Sequence, residues 1–239
     1  MNETRAPFPR SSFAPRDATR IRAGMIALVL SGVMTVVGLW LRGPNPVDGH
    51  SIDAALFIET SLAPTHVLTW ALLLSNLTVQ IFAWVALWGF LRPSAQERAG
   101  FWGFLLSTAG NGLFLPIAGV IALTAPSIAR LAAGGNDAAL AIAQDAVFGP
   151  LALPFLIASA FALLAGGIAF GIAIWKHPEL PRWAALPYVL HTLCLTFFAQ
   201  VDYRLEFAGG PLLLVSGVAI AVAVWRALDA DQKKTSSRS

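Results

Sequence analysis

The chain has 239 residues, 56% hydrophobic and only 12% charged, with a mean hydropathy of +0.68. Soluble domains carry about 25% charged residues, so this deficit, together with several apolar runs of about 20 residues, excludes an ordinary soluble domain and indicates a polytopic membrane protein. The net charge of +3 does not point to nucleic acid, because the cations collect in the two tails, with no basic face interleaved with aromatics; anionic lipid headgroups are the partner expected for such tails.

Residues 1–20 are rich in Pro, Ser and Arg and read as a disordered cytoplasmic tail. The first apolar run, 21–41, is longer than a usual signal-peptide core and lacks a small-x-small cleavage pattern, so it reads as a retained span. Pro44 and Pro46 break the chain after it, and 51–63 has the pattern of a short amphipathic surface helix. The second span covers 65–91 and carries His66, Thr69, Asn76 and Gln80 on one stripe. The third covers 99–125, where Gly103, Ser107 and Asn111 are spaced by four, a pattern that lets helices approach closely.

Residues 126–145 read as a second surface loop, broken by the Gly-Gly-Asn-Asp at 134–137. The fourth span ends at Trp175, and Pro150 and Pro154 predict an irregular start. The fifth, 182–203, carries Tyr188, His191, Thr192, Thr196 and Gln200 at offsets that helical geometry gathers on one stripe. A polar stripe is costly against lipid and must face other helices or a cavity. The sixth span covers 207–225, and 227–239 reads as a solvated cytoplasmic tail. The fold expected is therefore all-α, one transmembrane domain over 21–226 built as a bundle of six transmembrane helices.

Orientation follows from the cations. With both termini on one side, the tails and the 92–98 and 176–182 loops hold thirteen Lys or Arg, against Arg42, Arg130 and Arg204 on the other. This asymmetry predicts cytoplasmic termini, and the location expected is the bacterial cytoplasmic (inner) membrane. Tryptophans 84, 88, 102, 175, 183 and 225 fall toward the cytoplasmic ends of the spans, and Trp40 and Trp70 toward the outer ends. The segments 90–102 and 175–183 share an aromatic, a cation, a Pro and an Arg before Trp, which is the composition any cytoplasmic hairpin favours rather than a sign of duplication.

Three constellations bear on chemistry. The centres of spans two, three and five fall near residues 78, 112 and 192, so Asn76, Asn111 and His191 share a depth, with Gln80 about 6 Å further in. With Tyr188 and Thr192 they form a candidate midplane ligand-binding cluster: a polar pocket for a small molecule, or a relay in which His191 takes and gives a proton. The same groups also serve as interhelical glue, and glue is favoured by the lack of a carboxylate in the span to set the protonation of His191. Second, His50, Asp53, Glu59, His66, Asp145, Asp202 and Glu206 gather on the outer side, but no ligand spacing relates them, so they read as a solvated rim rather than a metal site. Third, a bis-histidine haem needs two His at matched depth, and His66 and His191 are not matched. No metal or other cofactor is expected. The single Cys194 excludes an intramolecular disulfide and multi-Cys metal sites.

No Asp, Glu, Lys or Arg falls in the core of a span as drawn, which disfavours ion-coupled transport, and there is no phosphate loop or nucleophile elbow. The Arg-rich start, the Pro-Arg-Trp at 181–183 and the Gly-rich closing span resemble uncharacterised six-helix bacterial integral membrane proteins; the resemblance implies no activity. The function expected is that of a non-enzymatic small-ligand binder or permease, or an assembly partner for another membrane protein or a second copy of the chain. The alternative is a membrane-embedded enzyme using His191 as acid/base on a lipophilic substrate.

Overall fold

In hydrocarbon every backbone polar group must find its partner inside the protein, which leaves so apolar a chain little choice but helix. The computed structural model describes residues 13–48, 51–136 and 138–237. Their order is α1 (Pro15–Arg42), a two-stranded ribbon of β1 (Val47–Asp48) and β2 (Ser51–Ile52), α2 (Ala54–Leu62), α3 (His66–Leu91), α4 (Glu97–Ala133), α5 (Ala138–Phe148), α6 (Ala152–Lys176), α7 (Ala185–Thr196) and α8 (Tyr203–Ser236). Five segments are long and apolar enough to cross a membrane: α1, α3, α4, the α5–α6 stretch Ala138–Lys176, and α8. The chain is a multi-pass, all-α membrane protein.

Several boundaries differ from expectation. Of the expected first tail, residues 15–20 belong to α1, with Pro15 at the first position, where its missing N–H costs nothing; residues 1–12 lie outside the described residues. Residues 227–236 continue α8 as helix, with most of their described side chains exposed. The expected loop 126–145 is largely helical, because α4 runs on to Ala133 and α5 follows. Among the described residues only 134–136 interrupt it, Gly135 taking the positive φ of 86° that other residues avoid.

The fifth expected span is the largest departure. Instead of a continuous helix over 182–203 there is the 12-residue α7, flanked by 3-10 turns at Arg182–Ala184 and Phe198–Gln200. The Thr196 hydroxyl donates to the Thr192 carbonyl at 2.7 Å and that of Thr192 to the Tyr188 carbonyl at 3.5 Å, the kind of back-bonding that bends helices. The α-helix ends at that point.

The helices are arranged as a ring in chain order. Each of α1, α3, α4, α6, α7 and α8 packs on the next, and α8 closes the ring against α1. The closing seam is tight: a Cβ on Gly32 would stand 2.7 Å from the Leu214 Cα. At one end of the seam the Phe13 N–H donates to Asp231 at 3.0 Å, and Arg22 binds Asp229 at 2.5 Å and Gln232 at 3.1 Å. At the other end Arg42 holds Glu206. Helices α1 and α8 are therefore antiparallel, and the first and last described residues meet at one end of the ring.

That end is dry. Leu87, Phe90 and Leu91 of α3 interlock with Phe170 and Ile174 of α6 and Ile220 and Val224 of α8, all of them buried. The opposite end is covered by α2 and α5, whose Phe57, Ala139 and Ala143 pack on Ala125, Ile128 and Ala129 of α4. Tryptophans 40, 102, 175, 183 and 225 are exposed as an interfacial belt requires, whereas Trp84 is buried inside the ring.

The cap also depends on a proline. Pro126 inside α4 has no N–H, so the carbonyl four residues earlier, on Ala122, loses its helical partner. The His66 Nε2–H donates to that carbonyl at 3.1 Å. His66, expected on a solvated rim, is thus buried and structural. We expect His66→Leu to cost about 1–3 kcal/mol through the orphaned carbonyl, and Pro126→Ala, which restores the helical N–H, to recover most of that loss. Thermal unfolding of the two single variants and the double variant in detergent measures this as a coupling energy; strict additivity contradicts the account.

Candidate functional site

The ring encloses a cavity of about 240 Å³, with walls from all six of its helices. All six residues singled out in the sequence, Asn76, Gln80, Asn111, Tyr188, His191 and Thr192, line it. The stripes of spans two, three and five need other helices or a cavity to face, and the structure supplies both: α3 packs on α4, while α7 stands across the cavity from them. Helix α7 packs on α6 and α8, and its stripe faces α3 across the cavity. The polar stripes are turned toward a shared space and not directly onto one another.

The hydrogen bonds decide how these side chains are oriented. The Thr35 hydroxyl donates to the Ser31 carbonyl at 2.8 Å, so its oxygen has only acceptor capacity left, and it accepts from Asn76 Nδ2 at 2.9 Å. Asn111 Nδ2 donates to the Leu77 carbonyl at 2.9 Å. Both amides are thereby oriented, and in both Oδ1 is buried without a partner among the described residues. Such an atom costs roughly 1–3 kcal/mol unless something donates to it. His191 Nε2 lies 3.3 Å from the Thr192 hydroxyl, while Nδ1 is buried without a side-chain partner among the described residues. Depending on its tautomer, Nδ1 presents either a proton or a lone pair. Gln80 is half-buried and forms no hydrogen bond among the described residues.

Aromatic groups bound the floor. Trp84 Nε1–H donates to the Tyr188 hydroxyl at 3.1 Å, and the Tyr188 ring meets Phe170 and His191 edge-on, at centroid distances of 6.1 and 5.0 Å. Below this layer lies the dry packing described above. The Thr196 hydroxyl lies on the wall; the Gln200 side chain is outside the described residues.

At the other end the wall includes Arg42 and Glu206, which form a bidentate pair with distances of 2.8 and 2.5 Å. Their side chains are 13% and 8% exposed. Glu206 was expected on a solvated rim; it is instead neutralised in the interior, so this end of the cavity carries both charges and no net one. A second pocket of about 100 Å³ beneath α2 shares Arg42, Asn45, Val47 and Trp70 with the cavity wall. Sequence reasoning missed the pair because charges at span ends ordinarily face solvent. The signal was present nevertheless: an Arg closes the first apolar run and a Glu opens the last, and antiparallel neighbours bring those positions together.

The remaining outer acids have ordinary roles. Asp53 caps α2 by accepting from the Leu56 N–H at 3.0 Å, and Glu59, Asp145 and Asp202 are exposed; His50 lies outside the described residues. Among the described residues no three His, Cys, Asp or Glu side chains converge as metal ligands would. No protein-family model, curated protein or solved structure matches the chain.

Removing one member of a buried pair leaves the other charge uncompensated. Glu206→Leu alone is expected to destabilise the protein by about 3–5 kcal/mol, while Arg42→Met with Glu206→Leu restores stability to near the starting value. A double-mutant cycle by thermal unfolding in detergent measures both; a double variant no better than Glu206→Leu contradicts a pair held for its mutual neutralisation.

Proposed function

We propose that the protein is a non-enzymatic binder of a small, neutral, mostly apolar molecule carrying N–H or O–H donors, held within the membrane in the α-helical ring. One observation carries the reading: two oriented amides and an imidazole line a single cavity, and both amide oxygens are buried without a hydrogen-bond partner among the described residues. A ligand that donates to Asn76 Oδ1 and Asn111 Oδ1 removes that cost. Neutrality follows from the wall, where Arg42 and Glu206 cancel and neither sign is left for an ion to meet. Scaling from the 150 Å³ cavity that accepts benzene, the volume suits about ten non-hydrogen atoms. The catalytic alternative is weaker: the one carboxylate on the wall among the described residues, Glu206, is already bound to Arg42.

The proposal includes six membrane crossings with cytoplasmic termini in a bacterial inner membrane. The antiparallel α1 and α8 support an even number of crossings between them, which α7 supplies together with α3, α4 and α6. Helix α7 with its 3-10 ends supports this, since 12 residues at 1.5 Å and six at about 2.0 Å reach roughly 30 Å, the hydrocarbon thickness. The cation asymmetry supplies the direction.

Topology reporters fused after residues 50, 95, 135, 178, 204 and 232 should alternate, starting outside. Agreement between the 178 and 204 fusions would remove the α7 crossing. For the cavity, the probes are 4-hydroxybenzyl alcohol and its doubly O-methylated ether. The alcohol should raise the unfolding temperature of the purified protein, binding about tenfold more tightly than the ether, as expected of one hydrogen bond to a buried acceptor. Asn111→Leu should abolish that preference. If neither probe binds, or if the preference survives in Asn111→Leu, the proposed chemistry is wrong.

A further inference from the structure

On the outside of the ring, the packed helices α1 and α3 leave a groove of about 1030 Å³ along their outer surface. Along α3 it extends from Val79 to Arg92, about 20 Å at 1.5 Å per residue. One leaflet, counting half the hydrocarbon and one headgroup layer, is about 20–22 Å thick. The groove is therefore as long as a leaflet is deep, and its polar end falls just past the apolar run of α3, where headgroups are expected.

Its walls change character along that length. The inner part is apolar, with Leu30 and Ile26 facing Phe82 and Val85, whereas Asp17, Arg20 and Arg92 occupy the end nearer the chain termini. Arg20 shares its charge with Asp17 at 3.8 Å, both exposed. Arg92 makes no ion pair with the described residues; its guanidinium sits 5.7 Å from the centroid of the Trp88 ring, an aromatic face that leaves its N–H groups available. That end has a net positive charge and free planar donors, the chemistry that recognises a phosphodiester. The floor is open at Gly89, where a Cβ would meet only Ile21, at 3.8 Å.

We propose that this groove is a binding site for one anionic phospholipid, its phosphodiester at Arg92 and Arg20 and an acyl chain lying over Gly89. The site is separate from the midplane cavity and stands whether or not that cavity binds a ligand.

The test is native mass spectrometry of the delipidated full chain, titrated with phosphatidylglycerol and phosphatidylcholine of identical acyl chains. The first phosphatidylglycerol should bind about fivefold more tightly, the factor expected of one uncompensated cation beside an anionic headgroup. In the Arg20→Gln/Arg92→Gln variant the two lipids should bind equally. Arg98 and Arg182 are exposed and do not line the groove, so Arg98→Gln/Arg182→Gln should keep the preference. Gly89→Leu should weaken both lipids, because its side chain fills the floor, while the unfolding temperature stays unchanged; this variant carries the test if the double Arg variant fails to fold. Equal binding by the wild type, loss of preference in both double variants, an unaffected Gly89→Leu, or dimers in place of lipid adducts overturns the proposal.

Discussion

Closure of α8 against α1 is the constraint on which the rest of the molecule depends. Chain-order neighbours pack on one another at little topological cost, but the first and last helices have no connection to bring them together. Their seam is secured differently at each level: charged and polar contacts join Arg22 to Asp229 and Gln232, backbone approaches backbone at Gly32, and Arg42 grips Glu206. The last contact is the one made in the interior, where desolvation penalises two charges severely unless each has the other. It acts as a registration mark, since sliding either helix by one turn would separate the pair by about 5.4 Å.

The cavity follows from closing a ring of helices with one short member. A full-length apolar helix in the position of α7 would bring large side chains to the centre along its whole length. Instead its α-helical part stops after 12 residues, and its inner face presents Tyr188, His191 and Thr192. The facing helices answer with amides and hydroxyls. Polarity and space coincide because each alone would be unstable: a polar stripe pressed against leucines loses its hydrogen bonds, and an empty apolar space loses dispersion contacts.

Much of this organisation was legible from the residues. Apolar runs and cation distribution pointed to a multi-pass helical protein, and the 3–4 spacing of Asn76 with Gln80 and of Tyr188 with His191 and Thr192 indicated that these side chains share a direction. The two directions proved to be opposing walls of one cavity. Periodicity says which residues share a face; it does not say whether opposing faces touch or stand apart, so the space between the stripes was not foreseeable. Nor were Glu206 and His66, whose positions at span ends suggest solvent. Each is buried by a partner distant in sequence, Arg42 for one and the carbonyl freed by Pro126 for the other. Helix ends misled in the same way: an apolar run marks where lipid is, whereas α4 and α8 continue past it as ordinary amphipathic helices packed on their neighbours.

The dry packing of Leu87, Phe90, Phe170 and Ile220 beneath the Trp84–Tyr188 layer has an electrical consequence. An uncharged occupant would enter and leave the cavity by routes other than that end and would move no charge through the field. Its occupancy would remain indifferent to the membrane potential, which does about 2.3 kcal/mol of work per 100 mV only on charges that move across it.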